Sequence, residues 1–256
     1  LSAEGLVADH GRGPVLRGVD IALRRGELVA VMGRNGAGKT TLLRCLAGVH
    51  RPAAGAVRTV GGRPPDPGRD AALCPQVPED VLFERSVEDE VRATLRARGG
   101  DGGRARPLLA AGGRDGADAR RLLEALGLDD LAARHPRDLS AGERLLVAVA
   151  AVAATGAPVL LLDEPTRGLD LAAKARLSTV LRRIASAGGA VAFATHDVEL
   201  AAALASRVVL LAGGEVIADG PPEEVLADSP VFSPEMTRVF GPGWLTPEQV
   251  ARALGA

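Results

Sequence analysis

Residues 33–40 of this chain read Gly33-Arg34-Asn35-Gly36-Ala37-Gly38-Lys39-Thr40, and Thr41 follows. Glycines at this spacing let the backbone turn its N–H groups inward, and a ring of such donors attracts an anion. The apolar run 28–32 comes just before, and Leu42, Leu43, Leu46 and Ala47 recur at helical spacing just after. The loop therefore joins a strand to a helix N-terminus, whose positive dipole end strengthens the site. In that context G-x-x-x-x-G-K-[ST] reads as a triphosphate cradle. It predicts that Gly33, Asn35, Gly36, Ala37, Gly38, Lys39, Thr40 and Thr41 hold a nucleotide. Lys39 is expected on the β- and γ-phosphates, and the Thr40 hydroxyl on Mg2+. Lysine occurs only at 39 and 174, and arginine carries the remaining positive charge. Its retention at 39 fits a need for a compact ammonium.

A second run, Val159-Leu160-Leu161-Leu162-Asp163-Glu164, ends in two acids. Adjacent carboxylates at the end of a buried strand are costly unless a cation neutralises them. Mg2+ at Asp163 does so, which leaves Glu164 to take the proton of an attacking water. Taken alone, the run also fits a solvated turn. Gln76 and His196 each follow a short apolar run, at 71–75 and 191–195. Gln76 alone reads as a solvated polar residue. Thr195-His196-Asp197 reads equally as a helix start capped by Asp197.

These residues need elements that bring them together. Residues 15–32 read as strand, turn, strand about Arg25-Gly26, and further buried strands are expected at 71–75, 159–162, 191–195 and 207–212. Short apolar runs without alternation suit a covered, mostly parallel sheet. Between 77 and 155 the pattern is helical, and 99–118, rich in Gly, Asp and Arg, reads as a flexible connection. The apolar stretch 145–162 is broken by Gly156 and Pro158, so it reads as a buried helix followed by a strand, not as a membrane span. From 220 onward, prolines and glycines punctuate short helices, which suggests a small appendage over 221–256. The length, 256 residues, suits one α/β domain with a subdomain. A net charge of −1 gives no footprint for nucleic acid. Two cysteines make no disulfide framework, and no signal peptide is expected, so a reduced compartment is the default.

With these elements in place, the chain resembles the ATP-binding-cassette proteins. Leu139-Ser140-Ala141-Gly142-Glu143 is similar to the family signature Leu-Ser-Gly-Gly-Gln. Pro165-Thr166-Arg167-Gly168-Leu169-Asp170 is similar to its D-loop. Gln76 falls at its Q-loop glutamine, His196 at its switch histidine, and His10 where it places an aromatic residue against adenine. The resemblance covers about 1–220. It implies an α/β fold of the P-loop NTPase class: a mostly parallel sheet, a small antiparallel β subdomain and a helical subdomain at about 77–155. It implies ATP and Mg2+ as ligands, with Thr40, Gln76 and Asp163 at the metal and Glu164, His196 and Gln76 in hydrolysis. It also implies a head-to-tail dimer, in which Ser140, Gly142 and Asp170 serve the partner's nucleotide. A homodimer, a heterodimer and a partner that is the other half of a fused chain all remain open, the last suggested by the start at Leu1 instead of Met. Two departures stand out. Ala141 puts a methyl group where the family has glycine, and Glu143 replaces glutamine. His10 remains open as an ordinary loop residue.

Residues 75–91, with Glu79, Asp80, Glu84, Glu88, Asp89 and Glu90 against Arg85, resemble the matching segment of energy-coupling-factor ATPases. That branch powers uptake of vitamins and transition metals. It implies a transmembrane coupling subunit docked on the acids, a substrate-binding membrane subunit, and a place at the cytoplasmic face of the cell membrane. A solvated helix face is the simpler reading of the acids. Other importers or exporters, and soluble non-transport members, share the motifs. Near the end, Phe232, Met236, Val239, Phe240 and Trp244 gather most of the chain's aromatics, as either a small core or a contact between ATPases.

Overall fold

The computed structural model describes residues 1–11, 13–99, 116–227, 229, 232–241 and 243–254. Most of the expected 99–118 connection lies outside them. The chain runs through strands β1 (Ser2–Asp9), β2 (Pro14–Ala22) and β3 (Leu28–Met32), helix α1 (Lys39–Leu46), then β4 (Ala54–Arg58) and β5 (Ala71–Cys74). Helices α2 (Val87–Gly99), α3 (Gly116–Leu126) and α4 (Ala141–Ala153) follow, then β6 (Val159–Asp163), α5 (Leu171–Ser186), β7 (Ala190–Thr195) and α6 (Val198–Leu204). The chain closes with β8 (Arg207–Ala212), β9 (Glu215–Gly220), α7 (Pro222–Ala227), α8 (Glu235–Phe240) and α9 (Pro247–Leu254).

The central sheet has the order β5-β6-β7-β3-β8-β9, parallel except for β9 at its edge. A second, antiparallel sheet has the order β2-β1-β4. The unbroken apolar runs of β3, β6 and β7 follow from having both faces covered. On one face Ala30, Met32, Leu160, Leu162 and Phe193 pack against α4 and α5. On the other, Val29, Val31, Leu161 and Ala192 pack with Leu42, Leu43 and Leu46 of α1 and with Leu6, Leu16 and Val19 of the small sheet. Each such large side chain contributes roughly 1.5–3 kcal/mol on burial. That fixes the strands firmly enough to hold polar groups at their ends.

The functional consequence lies in the strand order. From β3 the chain crosses to β5 at the far edge and returns through β6 and β7, and β8 then joins the other side of β3. The carboxyl end of β3 is therefore a switch point, where doubly wound sheets open a crevice for a ligand. The loop 33–38 leaves β3 at that point.

Two expectations need adjustment. Val239 and Phe240 stay exposed while Phe232 packs against the large core, so the C-terminal aromatics do not form one closed cluster. Strands β1, β4 and β9 carry few fully buried residues, and the apolar pattern did not single them out. Among the described residues, no helix is long and apolar enough to cross a membrane.

Candidate active site

The loop after β3 needs glycine for steric reasons at both ends. A Cβ on Gly33 would lie 2.4 Å from the Leu211 carbonyl oxygen, and one on Gly38, at φ 102°, would lie 2.6 Å from Leu16. No side chain caps α1, so its first N–H groups remain free to bind an anion. Asn35, Gly36, Ala37, Gly38, Lys39, Thr40 and Thr41 line a cleft of about 250 Å3, and Gln76 and Glu164 line it as well.

Lys39 is only 6 % exposed. Its Nζ donates to the Gly33 carbonyl at 2.8 Å and pairs with Glu164 Oε1 at 3.2 Å. The Thr40 hydroxyl donates to Asp163 Oδ1 at 3.0 Å. Burial pushes the Asp163 carboxyl above its usual range, the neighbouring Glu164 charge adds to this, and the Thr40 bond opposes it. A cation held between Thr40 and Asp163 would relieve that cost. A hydroxyl and one carboxylate beside a phosphate cradle are a fitting donor set for Mg2+, which keeps waters and substrate oxygens as its other ligands.

Among the described residues, Glu164 is the one non-glycine with positive φ, at 50°. Such a backbone costs on the order of 1–3 kcal/mol and persists where its surroundings impose it. Here its N–H donates to the Ala194 carbonyl at 3.0 Å, which ties the turn after β6 to β7. The turn aims successive carboxylates differently: Asp163 at Thr40, Glu164 at both Lys39 and His196. His196 Nδ1 lies 2.8 Å from Glu164 Oε2. Asp197 caps α6 through Leu200, as the simpler reading had it, and His196 still reaches Glu164.

Gln76 stands exposed at the cleft rim. His10 Nε2 lies 3.1 Å from the Thr41 hydroxyl, and its ring centre is 4.9 Å from that of His50. His10 is thus held beside the first turn of α1.

Ser140, Gly142 and Asp170 are not brought to that cleft. Ser140 caps α4: its hydroxyl accepts from the Glu143 N–H at 3.2 Å, and Glu143 Oε2 accepts from the Ser140 N–H at 2.7 Å. The departure Glu143 is therefore one half of a capping box. Its carboxyl is held below the usual range by that Ser140 N–H, with Arg134 adding to the effect. Gly142 has a packing role as well, since a Cβ there would lie 2.7 Å from the Ala173 Cβ. Ala141 is exposed in the first turn of α4. Asp170 caps α5 by accepting from the Ala173 N–H at 2.8 Å.

Two ties beside the site were not foreseen. The hydroxyls of Thr166 and Thr195 lie 3.4 Å apart, and Lys174 Nζ lies 2.5 Å from Asp197 Oδ2. The rarity of lysine was the one signal in the sequence that pointed toward Lys174.

The family description "ABC transporter" matches residues 16–167. A putative ABC transporter ATP-binding protein of Streptomyces avermitilis is 48% identical over 99% of this chain. The match takes in 44% of that relative, so the chain spans under half of its length. The hemin import ATP-binding protein HmuV of Streptomyces coelicolor is 43% identical over 88% of this chain and 79% of its own. Among solved structures, cbiO1 of Clostridium perfringens, part of the ABC transporter complex cbiONQ, aligns over 100% of this chain and 98% of its own. The TM-score is 0.75 at 26% identity.

Proposed function

This chain belongs to the ABC transporter family as an ATP-binding cassette, and from that premise we propose that Gly33–Thr41 bind MgATP and that Glu164 drives its hydrolysis. The reading is carried by the turn at Glu164, which places one carboxylate within reach of both Lys39 and His196. Lys39 turns from Glu164 and the Gly33 carbonyl to the β- and γ-phosphates. Glu164, so released, accepts a proton from the water that attacks the γ-phosphorus. The bridging P–O bond breaks, and the charge that develops on ADP falls on Lys39 and the N–H groups of α1. His196 donates to the γ-phosphate, and Gln76 at the rim orients the water and the metal. Thr40 and Asp163, with Gln76, would hold Mg2+, which would neutralise charge on the phosphates. His10 lies against the adenine. Ser140, Gly142 and Asp170 face the nucleotide of a second cassette, on another chain or in the remainder of a longer one.

Thr40→Ala tests the metal assignment. Nucleotide affinity should fall at least about tenfold in Mg2+, the scale of one charge-assisted contact, and change less than about twofold in EDTA. Equal losses in both titrations would remove Thr40 from the metal.

We infer further that the cassette drives an energy-coupling-factor importer of a vitamin or transition metal, held at the cytoplasmic face of the membrane by a coupling subunit and a substrate-binding subunit. The resemblance of 75–91 and the likeness to cbiO1 support this. The docking surface is narrower than six free acids. Glu79 pairs with Arg144, Glu88 with Arg92 and Arg120, and Asp89 with Arg92. Glu90 is buried and accepts the N–H groups of Phe83 and Glu84. Among the described residues, that leaves Asp80 and Glu84 without an ion pair, on either side of Phe83 in the chain, and Phe83 is 80% exposed. A partner with a basic helix and an apolar pocket fits this surface. Phe83→Ser together with Asp80→Lys and Glu84→Lys should cut co-purification of the coupling subunit roughly thirtyfold, the scale of one aromatic anchor. ATP affinity should stay within twofold. Undiminished co-purification would leave the segment as a solvated face. The HmuV relative favours a second reading, an importer of another branch. Identifying the membrane protein that co-purifies decides between them.

A further inference from the structure

We propose that Lys174 is a positioning residue for hydrolysis: it holds the loop carrying His196 against Glu164 and ties that loop to the helix that begins at Ser140. The inference rests on the ATPase reading and adds a residue to it.

The first turn of α5 is gripped from two sides. On one side α4 comes so close that a Cβ on Gly142 would lie 2.7 Å from Ala173 and 3.7 Å from Leu169. On the other, the next residue, Lys174, reaches Asp197 Oδ2 at 2.5 Å. Asp197 Oδ1 accepts the Leu200 N–H at 3.0 Å, so one carboxylate both starts α6 and receives the lysine. The Asp197 N–H donates to the Thr195 hydroxyl at 3.0 Å, which meets Thr166 at 3.4 Å. His196 lies between two anchored neighbours.

Its own ring is loosely held. The His196 side chain is 62% exposed, and Glu164 is its one hydrogen-bond partner among the described residues. The ring therefore takes its place from the backbone at 195–197. A part-exposed ion pair such as Lys174–Asp197 adds little to folding stability. A small misplacement of a catalytic group can still cost a large factor in rate. The consequence of losing Lys174 should therefore appear in turnover, with the fold intact. The geometry also supplies a route within one cassette. Whatever moves α4 at Ser140–Gly142 moves Ala173, and through Lys174 it moves Asp197 and His196.

The test uses the full chain with its partner cassette and MgATP. Lys174→Met removes the cation. Asp197→Asn removes the anion but keeps a good helix cap. Each should lower kcat about tenfold, with KM, ATP affinity and melting temperature close to wild type. The double variant should be no slower than either single one. Lys174→Arg, which keeps a cation, should recover kcat to within about threefold of wild type. In a His196→Ala background, Lys174→Met should cost nothing more. A kcat within twofold of wild type for both single variants would overturn the proposal. So would a further tenfold loss in the His196→Ala background, since Lys174 would then act elsewhere. Wild-type protein that fails to hydrolyse ATP, or hydrolysis indifferent to Glu164→Gln, would instead overturn the ATPase reading beneath it.

Discussion

Glu164→Gln is expected to leave ATP bound and to lower turnover by at least about a hundredfold. Glutamine keeps the length and a hydrogen-bonding group but cannot take the proton of the attacking water. A positioned general base contributes typically about 10²–10⁴-fold. The structure makes the substitution clean. The Glu164 N–H bond to Ala194 belongs to the backbone and survives, as does the positive φ that aims the side chain. The salt bridge to Lys39 is lost. Nucleotide affinity should therefore hold or rise, because Lys39 no longer leaves a carboxylate partner to reach the phosphates. Quenched-flow or coupled-assay turnover, beside a binding titration, checks both halves. Turnover within a fewfold of wild type would take the base away from Glu164.

Lys39→Ala should act in the opposite sense, on binding. The nearly buried Nζ is the one lysine ammonium of the cleft, and it already sits at 2.8 Å from the Gly33 carbonyl with its charge directed at Glu164. Charge-assisted hydrogen bonds contribute about 1.5–3 kcal/mol, or at least tenfold to a hundredfold in affinity. Removal also leaves Glu164 facing the γ-phosphate without compensation, so the loss should lie toward the upper end. Fluorescent-nucleotide titration or calorimetry measures it. An affinity within a few-fold of wild type would show that the loop binds its anion through backbone alone.

What could be read in advance was local. The glycine spacing at 33–38 encodes close approaches to Leu211 and Leu16 that tolerate no Cβ. The runs 28–32, 159–163 and 190–195 encode a sheet covered on both faces. Once those strands lie side by side, Thr40, Asp163, Glu164 and His196 arrive near their carboxyl ends.

What could not be read is tertiary. Glu79 and Arg144 are far apart in the chain, and nothing in either neighbourhood announces their pairing. Glu90 sits in an acidic run that reads as solvated, yet it turns inward to two backbone N–H groups. Gly142 drew attention as part of a site for the partner's nucleotide, while its close approach to Ala173 gives it a reason within its own chain. Glu143 looked like a departure from a pattern and proves to be half of a helix cap. Edge strands such as β4, with one buried residue in five, carry too weak an alternation to be recognised without their partner β1.

The composite site is tested most directly by measuring the mass of the Glu164→Gln protein in solution with MgATP and with MgADP. Light scattering on a size-exclusion column serves, with the protein alone and with its partner cassette. Slow hydrolysis should hold the γ-phosphate between Gly33–Thr41 of one cassette and Ser140–Gly142 of the other. A dimer should therefore appear with MgATP, vanish with MgADP, and be lost in MgATP when Ser140 is also replaced by a bulky residue. A protein that stays monomeric with MgATP in both mixtures, while binding the nucleotide, would contradict the shared site.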